Sequence, residues 1–154
     1  MKLRALDRIT AWEAGTRAAG RKAVSFEEYC LRQPLGEPER LPESLVLQAA
    51  FELANWLVIL SSGYGQAARP VAAGRVEFAG PLGPGEVMEV TVEAVELTAD
   101  RLVFHALGTA GGRPILRCEG GEAELVPLAS LEDPADRRTL FSEIATIEAG
   151  GSPT

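Results

Sequence analysis

One apolar run constrains this chain more than anything else in it. Residues 45–60 read LVLQAAFELANWLVIL, with only Gln48, Glu52 and Asn55 polar. A helix without a polar stripe must be enclosed by protein on most of its sides. Pro42 suits the first turn of such a helix, and Ser61, Ser62 and Gly63 end it. The spacing predicts about 18 helical residues, roughly 27 Å of helix. Its longest apolar stretch, Leu53 to Leu60, is interrupted by Asn55 and is too short to cross a bilayer. Each polar exception matters, because a buried polar side chain needs a partner or a ligand.

The rest of the chain supplies strands to enclose that helix. Ala5 to Glu13 permits a strand, Ala14-Gly15 a turn, and Thr16 to Val24 a returning strand. Ser25 and Glu28 form a capping box that predicts a short helix through about Leu31. The segment from Gln33 to Pro42, with three prolines and a glycine, is a loop. Beyond the long helix, Arg75 to Phe78 begins a strand and Ala79 to Gly85 turns. Glu86 to Leu97 alternates with one face apolar, Leu102 to Thr109 follows, and Ala110-Gly111-Gly112 leads into Pro114 to Leu125. The layout is α+β: an antiparallel sheet wrapped around one long helix. Asp133-Pro134 then starts an amphipathic helix carrying Leu140, Phe141, Ile144 and Ile147, stopped at Gly150-Gly151. The expected division is a main domain over 1–128 and a helical extension over 129–154.

Charge and composition exclude several functions. A net charge of -7 opposes nucleic acid and an anionic membrane surface as partners. Arg17, Arg21 and Lys22 are the one candidate basic patch for an acidic partner. Cys30 and Cys118 have no metal-ligand spacing and read as reduced thiols. His105 is the only histidine, sits in mid-strand and has no cluster of ligands around it, so no metal is expected. Phosphate-loop and dinucleotide fingerprints are lacking, so no cofactor is expected. MKLRALDRIT holds no apolar run of signal-peptide length, which predicts a cytoplasmic protein.

The order of elements resembles the hot-dog-fold 3-hydroxyacyl-(acyl-carrier-protein) dehydratases (FabZ-like proteins). Leu6-Asp7-Arg8-Ile9 with Glu13-Ala14-Gly15 looks like that family's first strand and turn. The segment from Leu41 to Ala49 looks like the approach to its central helix. Val76 to Phe78, Gly80-Pro81 and Pro84-Gly85-Glu86 look like its next strand and turn. The likeness runs over residues 5 to 127. It implies a lyase that removes water from a 3-hydroxyacyl thioester, held on acyl-carrier protein or coenzyme A, in fatty-acid or polyketide-type metabolism. That reaction needs a base at the carbon beside the carbonyl, an acid for the leaving hydroxyl, and donors for the enolate-like oxygen. The resemblance places the base on a loop histidine before the central helix and the acid on a helical carboxylate contributed across a dimer seam. It also implies at least a homodimer.

This sequence departs at both positions. No histidine occurs from Gln33 to Pro42, where the family's would fall near Pro34 or Leu35, and Gln48 occupies the carboxylate position. Glu43 replaces a glycine after Pro42. A glutamine amide hydrogen-bonds but supplies no proton at neutral pH. The expected activity is therefore weak, altered or absent, with an acyl slot between helix and sheet surviving.

Glu52, one turn after Gln48, has two readings: acid or base of an acyl thioesterase with Gln48 orienting the thioester, or a carboxylate paired with an arginine at a seam. Pro42, Glu43, Ser44 and Asn55 are the candidate substrate contacts. The remaining alternatives are a non-catalytic partner subunit and a ligand-binding module.

Overall fold

The computed structural model describes residues 5–25 and 40–146. The expected short helix after Ser25, the Pro-rich loop up to Glu39, Cys30, Ile147 and Gly150-Gly151 lie outside them. The chain runs β1 (Arg8–Glu13), β2 (Arg17–Ala23), α1 (Glu43–Ser61), β3 (Gln66–Ala72), β4 (Arg75–Phe78), β5 (Val87–Leu97), β6 (Arg101–Ala110), β7 (Arg113–Pro127) and α2 (Pro134–Ile144). The strands make one antiparallel sheet in the order β1-β2-β5-β6-β7-β3, and β4 pairs with the first half of β7.

α1 is the axis of the core. Ala49, Ala50, Leu53, Ala54 and Leu57 are wholly buried. The alanines keep the helix narrow so that the strands can close on it. By length and mean hydropathy (1.5 over its apolar window) α1 would suit a bilayer, but here the sheet supplies the apolar surroundings. Along β5 the predicted alternation holds: Met88, Val90 and Val92 face inward, while Glu89, Thr91 and Glu93 are exposed. Two glycines admit close approaches. A Cβ on Gly20 would lie 2.5 Å from the Arg8 carbonyl oxygen, and one on Gly121 would lie 2.7 Å from the Phe104 ring. Phe104 uses that space to meet Phe51 of α1 edge-on, with ring centroids 5.2 Å apart.

Two elements differ from the sequence reading. β3 was not expected, because QAARPVA carries a proline and no clean alternation. It exists because it is an edge: its register shifts between Pro70 and Ala72, where a missing N–H does no harm. α2 starts as expected, with the Asp133 carboxylate accepting from the Ala135 N–H at 2.9 Å. It ends at Ile144, however, and Ala145 turns extended. Ala145 bridges Ile9 of β1, and the Thr146 N–H donates to the Ile9 carbonyl at 2.8 Å. That backbone pairing competes with a further turn of helix.

Candidate functional site

The six residues singled out from the sequence occupy three places. Pro42 is the N-cap of α1, and Glu43 and Ser44 are exposed in its first turn. The Leu41 N–H donates to the Leu82 carbonyl at 2.8 Å, tying this end of the helix to the Pro/Gly turn. That turn is itself braced. Glu86 accepts from the Gly83 N–H at 2.8 Å and pairs with Arg113. The Gly83 bond lowers the Glu86 carboxyl below the usual carboxylate range, desolvation opposes it, and Arg113 lowers it further.

Gln48 and Glu52 share the face of α1 turned away from the sheet, as four-residue spacing requires. Gln48 is exposed. Glu52 is half-buried, and its Oε1 accepts from Arg137 Nη1 of α2 at 2.8 Å. Asn55 points elsewhere: its Oδ1 accepts from the Ala68 N–H at 2.9 Å and holds the start of β3 against the helix.

The cleft beside Glu52 has a volume of about 530 Å³ and lies between α1, α2 and the segment leading into β1. Leu6, Trp56, Leu140 and Ile144 give it an apolar floor, and Glu132, Asp136 and Glu143 a polar rim. Pro42, Glu43, Ser44, Gln48 and Asn55 do not line it. The cleft is on the outer face of α1, distinct from the slot expected between α1 and the sheet.

Arg137 is the residue sequence reasoning missed. Its guanidinium lies 4.8 Å over the Trp56 ring and also binds both carboxylate oxygens of Glu132. Burial works against its charge, but the bonds from Glu132 and Glu52 outweigh this and raise its pKa above the ordinary value. The signal was present: Arg137 falls on the same helical stripe as Leu140, Phe141 and Ile144, where an unpaired charge has no place.

Other candidates separate. Strand alternation turns Lys22 inward beside Asp7, with Nζ–Oδ2 3.9 Å, while Arg17 and Arg21 pair with Glu13 and Glu89 on the outside. The three do not form a basic patch. His105 is on the outer face of the sheet, and its Nδ1 accepts from the Gly120 N–H at 3.1 Å. Cys118 is buried and donates to the Ala73 carbonyl, and burial pushes its thiol up. Tyr64, at φ 66°, lies under Arg138 at the end of α1; burial raises its phenol and Arg138 opposes that. Among the described residues no group of three or more His, Cys, Asp or Glu side chains is placed to hold a metal.

An antiparallel sheet wound on one apolar helix, in this strand order, is the hot-dog fold. Its likenesses are of two kinds. In sequence, the 3-hydroxyacyl-(acyl-carrier-protein) dehydratase FabZ of Clostridium novyi (strain NT) is 26% identical over 115 residues, 74% of this chain and 81% of that protein. In structure, the fluoroacetyl-CoA thioesterase FlK matches with a TM-score of 0.63 at 16% identity, covering 82% of this chain and 96% of that one. A Streptococcus mutans protein bound to acetyl CoA matches with a TM-score of 0.60 at 10% identity, covering 82% and 92%. The E. coli PaaI protein of a phenylacetic acid degradation operon matches with a TM-score of 0.58 at 15% identity, covering 76% and 81%. No family model matches the chain.

Proposed function

We propose that this FabZ-like hot-dog protein binds an acyl thioester, presented by acyl-carrier protein or coenzyme A, in cytoplasmic fatty-acid or polyketide-type metabolism. The observation that carries the reading is the pairing of a dehydratase-like sequence with a fold also seen in a coenzyme A-bound protein and a thioesterase. This sequence does not support dehydration by the family's route, since Gln33 to Pro42 holds no histidine and Gln48 stands at the carboxylate position. Gln48 remains as an amide that can hydrogen-bond a thioester or its linker, with Pro42, Glu43 and Ser44 at the start of α1, whereas the Asn55 Oδ1 is already engaged by the Ala68 N–H.

A homodimer belongs to this reading. β1 has its outer edge met at Ile9 by Ala145 and Thr146. The opposite edge, β3 and β4, presents Val71 at 61% exposure and Phe78 at 36%. An apolar strand edge is a template for a second chain, and an isologous contact closes the assembly at two copies.

Thioester hydrolysis by Glu52 is the second reading, favoured by the position of this carboxylate on the central helix at the border of a cleft. Glu52 would take a proton from water as the oxygen attacks the thioester carbonyl. The carbon–sulfur bond then breaks, and the thiolate leaves with a proton.

The test is a panel of 3-hydroxyacyl, enoyl and saturated acyl thioesters, followed for hydration, dehydration and thiol release, with Glu52→Gln alongside. Binding without turnover supports a non-catalytic acyl-binding or partner subunit. Thiol release abolished by Glu52→Gln makes the protein a thioesterase. Dehydration at family-like rates contradicts the reading, and absence of any binding or turnover overturns it.

A further inference from the structure

The contact between α2 and α1 centres on a charged clasp. Arg137 has a side chain only 13% exposed and meets Glu52, Glu132 and the Trp56 ring at once. Phe141 packs against the same ring, with centroids 5.8 Å apart, and Ile144 is the one fully buried residue of α2. Helices of this length do not persist alone in water, so α2 is helical because it is docked. Elements with few buried side chains open locally at lower free energy than core strands. Glu52 is meanwhile occupied. Its Oε1 accepts from a guanidinium, so that oxygen is held by Arg137 and is not free to meet a water or a substrate.

We propose that α2 is a strap over α1 and Arg137 its clasp, keeping Glu52 from reacting until α2 detaches. The consequence for catalysis rests on the hydrolase reading of Glu52; the strap itself does not. Undocking α2 removes Arg137 from Glu52 and uncovers Trp56 in a single movement, taking away the part of the cleft that Leu140 and Ile144 form. Arg137 is thus a residue that acts through Glu52, not one that touches substrate.

Carboxylate labelling tests this without any substrate. The full-length protein and its Arg137→Gln variant are treated with a water-soluble carbodiimide and glycinamide, and each site is read by mass spectrometry. Glu52 is expected to label more slowly than the exposed Glu96. In Arg137→Gln it should label faster on the order of tenfold, as loss of a charge-assisted hydrogen bond implies, with Glu96 unchanged. Unchanged Glu52 labelling in a folded Arg137→Gln protein overturns the proposal.

Hydrogen exchange on the unaltered protein gives a measurement independent of the variant's folding. Amides of α2 should exchange faster than those of β5, β6 and β7, and equal protection overturns the strap. If Glu52 becomes reactive in Arg137→Gln and no thiol is released from any thioester, the strap stands and the hydrolase reading falls.

Discussion

Single side chains set how tightly this sheet closes on its helix. Asn55 contributes one hydrogen bond to the Ala68 N–H, and Asn55→Ala leaves that backbone group without its partner. The expected cost is about 1–3 kcal/mol in denaturant unfolding, with faster hydrogen exchange in β3. Gly121→Ala forces a methyl against the Phe104 ring and is expected to destabilise by about 1–3 kcal/mol in the same measurement. Glu86 gives a pH dependence. Its folded-state pKa is depressed, so its contribution is present above the unfolded carboxylate value and disappears as pH falls through the folded one. Glu86→Gln should flatten the acid side of the stability curve and leave the neutral side nearly parallel to the original. At this scale the sequence identified Gln48, Glu52 and Asn55 by their polarity within an apolar helix. It did not indicate where each points, because α1 is covered on one side by the sheet and on the other by α2.

At the level of elements, strong periodicity was legible and edges were not. β5, β6 and β7 read correctly because alternating burial is written into their residues, as at Met88, Val90 and Val92 against Glu89, Thr91 and Glu93. α1 read correctly because a nearly unbroken apolar run of that length has one economical solution in a small α+β domain. β3 was illegible, since an edge strand with Pro70 need satisfy neither alternation nor a full ladder. The early end of α2 was illegible because it depends on Ile9, far away in the chain. The start of α2 was legible through Asp133 and Pro134. Asp133→Ala should remove the cap to the Ala135 N–H and cost about 1 kcal/mol. Under the strap proposal that loss appears as faster exchange confined to α2.

Among the described residues the sheet has one edge, β1, met at Ile9 by Ala145 and Thr146, and an opposite edge, β3 and β4, with no strand beside it. Seated on β3 and β4, a second copy would bury Val71 and Phe78 and continue the sheet across a two-fold axis. If the proposed homodimer forms, Val71→Lys introduces a like charge on both sides of that axis and is expected to shift the protein from dimer to monomer in analytical ultracentrifugation. An unchanged dimer would place the seam elsewhere. The fold itself was legible from element order, whereas the cleft between α1 and α2 was not, because it forms only when an element outside the resembling region docks on the central helix.

The central claim, that this hot-dog domain holds an acyl thioester, is tested most directly by titrating the purified protein with a non-hydrolysable acyl-coenzyme A analogue and with the matching acyl-carrier-protein analogue in a calorimeter. The account predicts saturable binding of at least one of the two, stronger for the acylated form than for the bare carrier. No heat and no competition from either analogue, in a folded protein, would contradict it.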